Sequence, residues 1–262
     1  MKAFAIFLLI RAFTHPMFSQ DKPTFRHHGI RVFSSDIEAS RRFYKEVLGI
    51  GIIAENESAS DAFPIYLTRA SESSVSNYPL GARTGLSIQT HKLLPGIDHL
   101  RSRNVSLYDT LLQRNGVGIS IPFKDPSGHV LSLIEVQIRK IPAFEGYKVY
   151  NTGVTISDME KVSAFYLDIL GFDEWSRNYL PEALPLKHTD GTFAFMIHQK
   201  GNLKRNPLEY GDAQMVLLFE TSNLNDTREY LKEQGVLFKE IGDKVICKDP
   251  EGNAIEIFES VQ

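Results

Sequence analysis

Two blocks of the sequence occur twice, in the same order and at nearly the same spacing. Asp36, Glu38, Phe43, Tyr44, Leu48 and Gly49 return as Asp158, Glu160, Phe165, Tyr166, Leu170 and Gly171, each 122 positions further on. Lys124, Asp125, Pro126, Gly128 and Glu135 return as Lys248, Asp249, Pro250, Gly252 and Glu259, each 124 positions further on. A repeat of this kind constrains a fold more than local propensity does, because each copy must offer the other a matching surface to bury. The chain therefore reads as a duplicated module of about 115 residues, spanning 24–138 and 147–260.

The same local design recurs in both modules. Residues 30–33 and 153–156 are short β-rich runs, and Asp36 and Asp158 are suited to cap the helices that follow. In those helices Ile37, Phe43, Tyr44, Val47 and Leu48, and then Met159, Phe165, Tyr166, Ile169 and Leu170, recur at helical spacing, which predicts a buried face. Gly49 and Gly171 stand where a helix stops. A second helix is expected at 107–114 and at 224–234. The Asp-Pro-x-Gly elements predict tight turns that lead into a closing strand, and residues 146–151 join the modules without a long linker.

Composition narrows the function classes. Lysine plus arginine is 29 against 32 acidic residues, a net charge of -3, so there is no basic field to hold a nucleic acid. Cys247 is the single cysteine, which excludes an internal disulfide and any zinc site built on several thiolates. Lys2 precedes an apolar run at 3–10, far short of the about 20 residues that span a bilayer. Residues 1–20 instead read as a signal peptide, implying a periplasmic or secreted protein, with a cytoplasmic location as the alternative.

The repeated Asp-x-Glu, Phe-Tyr and Leu-Gly elements, each closed by Asp-Pro-x-Gly, resemble the vicinal oxygen chelate superfamily, the group of glyoxalases, bleomycin-resistance proteins and extradiol dioxygenases. The resemblance covers almost all of 24–260. It implies an α+β fold of two tandem βαβββ modules, each a curled mixed sheet with helices on its convex face and a cup that takes a small-molecule ligand or substrate. It also implies a divalent metal, zinc, iron, nickel or manganese, held by side chains of the first and last strands.

Strand alternation selects candidates for those positions. Ile30 and Val32 suit a packed face, so His27, Gly29 and Arg31 are expected to point into the cup, with His28 turned away. Matching Gly29 to Gly153, with two extra residues in the first module, pairs His27 with Asn151. The closing-strand ligand of the family falls four residues after the turn glycine, at Ser132 and Glu256. The complete set implied is thus His27, Ser132, Asn151 and Glu256, with Gln214 on a middle strand. Only His27 and Glu256 are strong ligands for such metals.

Two functions remain open at this point. In one, His27 and Glu256 hold a metal that polarises a substrate oxygen, or Glu256 acts as a base while Arg31 holds an anionic group, as in a lyase, isomerase or dioxygenase. In the other, the cup sequesters a small molecule without metal or catalysis, and Glu256 is paired with Arg31. His129 is expected to be a solvated strand residue, and His188 and His198 to be exposed strand ends. Cys247 is expected to be buried. Either function leaves a homodimer open.

Overall fold

The computed structural model of the chain describes residues 22–53, 63–71, 84–108, 110–114, 117–138, 140–199 and 215–260. The expected signal peptide and Gln214 lie outside them. The first module contains β1 (Phe25–Ser34), α1 (Ile37–Arg42, continued by a wider π-turn over Phe43–Val47), β2 (Ile65–Arg69), β3 (Thr84–Thr90), α2 (Leu93–Ser102), β4 (Gln113–Arg114), β5 (Gly118–Lys124) and β6 (Val130–Val136). The second contains β7 (Tyr147–Ile156), α3 (Met159–Ala164, with its π-turn Phe165–Ile169), β8 (Asp173–Glu174), β9 (Ala183–Lys187), β10 (Phe193–Gln199), β11 (Met215–Thr221), α4 (Leu224–Glu233), β12 (Phe238–Ile241), β13 (Lys244–Lys248) and β14 (Ala254–Glu259).

The caps are those the sequence predicts. Asp36 accepts from the Ala39 amide and Asp158 from the Lys161 amide, both at 3.0 Å, satisfying amides that the first helical turn leaves without partners. The second helix of the first module is at Leu93–Ser102 and not at 107–114. Pro95 and Gly96 disguise it in the sequence, but Pro95 lies in the first turn, where no amide is needed. Residues 147–151 are already part of β7 and not a connection.

Two curled sheets result, and each draws on both modules. The first runs β12–β13–β14–β11–β1–β2, and the second β4–β5–β6–β3–β7–β10–β9–β8. Each module thus splits in half, its opening strands going to one sheet and its later strands to the other. β1 lies antiparallel to β11, and β3 antiparallel to β7. One large apolar cluster contains Ile30, Leu217 and Ile255 of the first sheet, Leu131, Val154 and Phe195 of the second, and Phe43, Tyr44, Leu100, Phe165, Tyr166 and Leu231 of the helices. The core therefore lies between the sheets, and the opposite faces carry polar side chains beside two small apolar clusters, one around Phe33, Val216 and Ala254 and one around Val117, Ile134 and Val136.

The Asp-Pro-x-Gly turns anchor the helices to this core. Asp125 accepts from the amides of Ser127 and His129, from His129 Nδ1 at 2.7 Å and from Tyr44 Oη at 3.1 Å. Asp249 repeats the arrangement with Glu251, Asn253 and Tyr166. His129 is therefore not a solvated strand residue: it is 2% exposed, because the turn carboxylate supplies the hydrogen bond that its burial requires.

Candidate functional site

The first strand decides which side chains meet. Along the β1–β11 ladder His27 faces Phe219 while Gly29 faces Leu218, so two residues of β1 span one step of β11. This is a β-bulge with His28 as the extra residue. Simple alternation fails at that point. His27 turns to the packed side with Phe219, and His28 joins the face carrying Gly29 and Arg31. The expected assignment of the two histidines is reversed.

His27 is fully engaged in the core. Its ring lies against Phe63, Phe195 and Phe219, with centroids 5.4–5.6 Å away. Nδ1 donates to the Ala194 carbonyl at 3.0 Å, Nε2 faces Thr152 Oγ1 at 3.3 Å, and the main-chain amide donates to His188 Nε2. Burial pushes its pKa down to about 3, since a charged imidazole would be stripped of water. His188 is itself buried rather than an exposed strand end, and burial pushes His198 down to about 4.

On the other face of the first sheet, Arg31 and Glu256 do come together. Arg31 Nε donates to Glu256 Oε2 at 2.8 Å and Nη2 to Oε1 at 2.7 Å, while Nη1 donates to Thr68 Oγ1 at 2.9 Å. Lys244 Nζ lies 3.0 Å from Glu256 Oε1. The Glu256 side chain is 0% exposed and that of Arg31 8%. A fully buried carboxylate needs this compensation, and a two-bond guanidinium is its strongest neutral-pH partner. Beside this pair, on β1, β2 and β11, His28 Nδ1 lies 2.6 Å from Glu220 Oε1 and His28 Nε2 lies 2.8 Å from Tyr66 Oη.

The other implied ligands are elsewhere. Asn151 and Ser132 lie in the second sheet, where each faces Ser87 on its own side of β3. Asn151 Nδ2 is directed at Met196 Sδ at 2.9 Å. The four-residue set is thus divided between two sheets with the core between them. The modules also align without the two-residue insertion. β1 and β7 have equal length and carry their ladder irregularity at equivalent places, at His28 and Tyr150. Gly29, not His27, is therefore the counterpart of Asn151. A Cβ at Gly29 would stand 2.2 Å from the Pro64 carbonyl oxygen, so no side-chain donor can occupy that position.

These residues do not fit a divalent ion. Among the described residues no group of three or more histidine, cysteine, aspartate or glutamate side chains is arranged to hold one. Glu256, the one strong candidate left, has its oxygens taken by a guanidinium and an ammonium, which would repel a third cation at that carboxylate. His28, Glu220 and Lys244 were not singled out as site residues by sequence reasoning. The signal available for His28 was the equal length of the two strands under the 122-residue repeat.

A family model described as Glyoxalase/Bleomycin resistance protein/Dioxygenase superfamily matches residues 148–257. The match covers the second module, and it is that module which is similar to this superfamily. The similarity of fold extends across both modules. Glyoxalase I from Zea mays superposes with a TM-score of 0.57 at 15% identity, covering 90% of this chain and 93% of the maize protein. The V278E mutant of the same maize enzyme gives a TM-score of 0.60 at 16% identity, covering 90% and 93%. No curated protein matches the sequence. The two curled sheets and few helices are thus those of the glyoxalase and dioxygenase fold.

Proposed function

We propose that this chain binds a small polar molecule on the Arg31–Glu256 face of its first sheet without a metal ion. The observation that carries the reading is the occupancy of the Glu256 carboxylate by Arg31 and Lys244. Beside the pair the Lys244 side chain is 33% exposed, which leaves its ammonium within reach of an oxygen-rich ligand. With Gly29 at the first-strand position, the superfamily's metal is replaced here by fixed hydrogen-bond donors. The role is then sequestration, and an exported location remains part of the proposal.

Metal analysis of the purified full chain tests this directly, together with thermal melts in added zinc, iron(II), nickel and manganese. The expected result is metal well below one equivalent and no rise in Tm with any of the four. One equivalent of metal that disappears in Glu256→Gln would overturn the proposal and restore a metal-dependent lyase, isomerase or dioxygenase.

A further inference from the structure

We propose that Tyr66, His28 and Glu220 form a nucleophile–base–carboxylate relay that reacts with small acyl electrophiles at Tyr66 Oη. The proposal does not depend on whether the neighbouring Arg31–Glu256 pair binds a ligand. Three adjacent strands supply the three groups, β2 the hydroxyl, β1 the imidazole and β11 the carboxylate. The hydroxyl-to-imidazole distance is 2.8 Å and the imidazole-to-carboxylate distance 2.6 Å. Those are the separations over which a base takes a proton from a nucleophile while a third group fixes the base.

The direction of the hydrogen bonds follows from the carboxylate. Glu220 accepts only, so His28 carries its proton on Nδ1 and leaves Nε2 as the acceptor for the Tyr66 hydroxyl. Phe258 meets the His28 ring edge-on at 5.2 Å and limits its rotation. Burial and the Glu220 and Glu256 carboxylates hold the Tyr66 phenol above its ordinary pKa, and the Arg31 guanidinium, 5.7 Å from the ring centre, opposes them, so the phenol needs His28 as its base. The relay is not sealed in the core: the side chains of His28 and Glu220 are 18% and 25% exposed, and Tyr66 is half-buried. A chain of this kind kept only for stability gains most when fully buried, whereas one that meets a ligand must stay within reach of it.

With an ester, the bond formed is Tyr66 Oη to the acyl carbon, and the bond broken is acyl carbon to leaving oxygen. The phenolic proton passes to His28 Nε2 and then to the departing alkoxide or phenoxide, while Glu220 stabilises the transient imidazolium. The product is an O-acyl tyrosine, and no oxidant or reductant is consumed.

The test uses p-nitrophenyl acetate and the full chain, following nitrophenolate release and mapping acetylation by peptide mass spectrometry. The expected result is a burst approaching one equivalent, with the acetyl group on Tyr66 and no burst in Tyr66→Phe. Loss of the base in His28→Gln should slow acetylation of Tyr66 about a hundredfold. Glu220→Gln should slow it about tenfold or more while leaving the Tyr66 hydroxyl in place. Far-UV circular dichroism accompanies each variant, and if His28→Gln does not fold, Glu220→Gln carries the test. Acetylation of Tyr66 no faster than of other tyrosines, or an unchanged rate in folded Glu220→Gln, would overturn the proposal.

Discussion

Arg31 and Glu256 lie 225 residues apart and meet through two hydrogen bonds in a pair almost sealed from water. The contact exists because β1, from the start of the first module, and β14, from the end of the second, flank β11 in one sheet. It is also the contact that turns a potential metal ligand into a neutralised carboxylate.

The pair is not symmetric under mutation. Glu256→Leu leaves the buried Arg31 charge uncompensated and should cost about 3–5 kcal/mol. Arg31→Met leaves Glu256 still beside Lys244, so it should cost less. The double variant should be less destabilised than the sum of the singles. Urea unfolding of the three variants checks this, and strict additivity would contradict a coupled pair.

Gly29→Ala should be severely destabilising. The added methyl would stand 2.2 Å from the Pro64 carbonyl oxygen, and that oxygen is fixed by accepting from the Ile30 amide at 3.1 Å. Backbone would have to move, which places the cost at about 2 kcal/mol or more. A Tm within a degree or two of the parent would show that the strand and residue 64 separate easily.

Tyr44→Phe and Tyr166→Phe each remove one hydrogen bond to a turn aspartate and leave the ring packing unchanged. Each should cost about 1 kcal/mol. The sites belong to different modules and share no partner, so the double variant should show the sum, as read from denaturant midpoints.

Acid should weaken the fold before its carboxylates protonate. His27 and His198 are held neutral by burial, with pKa values pushed down to about 3 and about 4. The unfolded chain binds protons at these imidazoles below about 6.5 and the folded chain does not. Their contribution is therefore complete above about pH 6.5. It falls by about 1.4 kcal/mol per pH unit per histidine as the pH drops toward those values. Melts from pH 7 to pH 4 should show a steep loss of Tm, less steep in His198→Gln. A flat profile would mean that these rings are hydrated in the native state.

Much of the fold was legible because it is written locally. Asp36 and Asp158 announce their helices by capping chemistry, and the Phe-Tyr pairs show their buried face by spacing. The helix at Leu93–Ser102 was hidden, since Pro95 and Gly96 read as breakers until their place in the first turn is known. Sequence reasoning placed Arg31 and Glu256 together, as they are, but turned His27 toward them where the strand turns His28. A bulge arises from the pairing of β1 with a strand nearly two hundred residues away, and no pattern within β1 records it.

The sequence by itself determined the duplicated module and the class of fold, because repeats, caps and turns are properties of short stretches. Only the tertiary structure decided that each module divides between two sheets. That division separates Ser132 and Asn151 from Glu256, and the bulge turns His27 inward and brings His28 to Tyr66 and Glu220. The physical reason is that hydrogen-bond register and the sharing of one core are set by strands meeting across the chain, and a one-residue slip in that register exchanges the two faces of a strand.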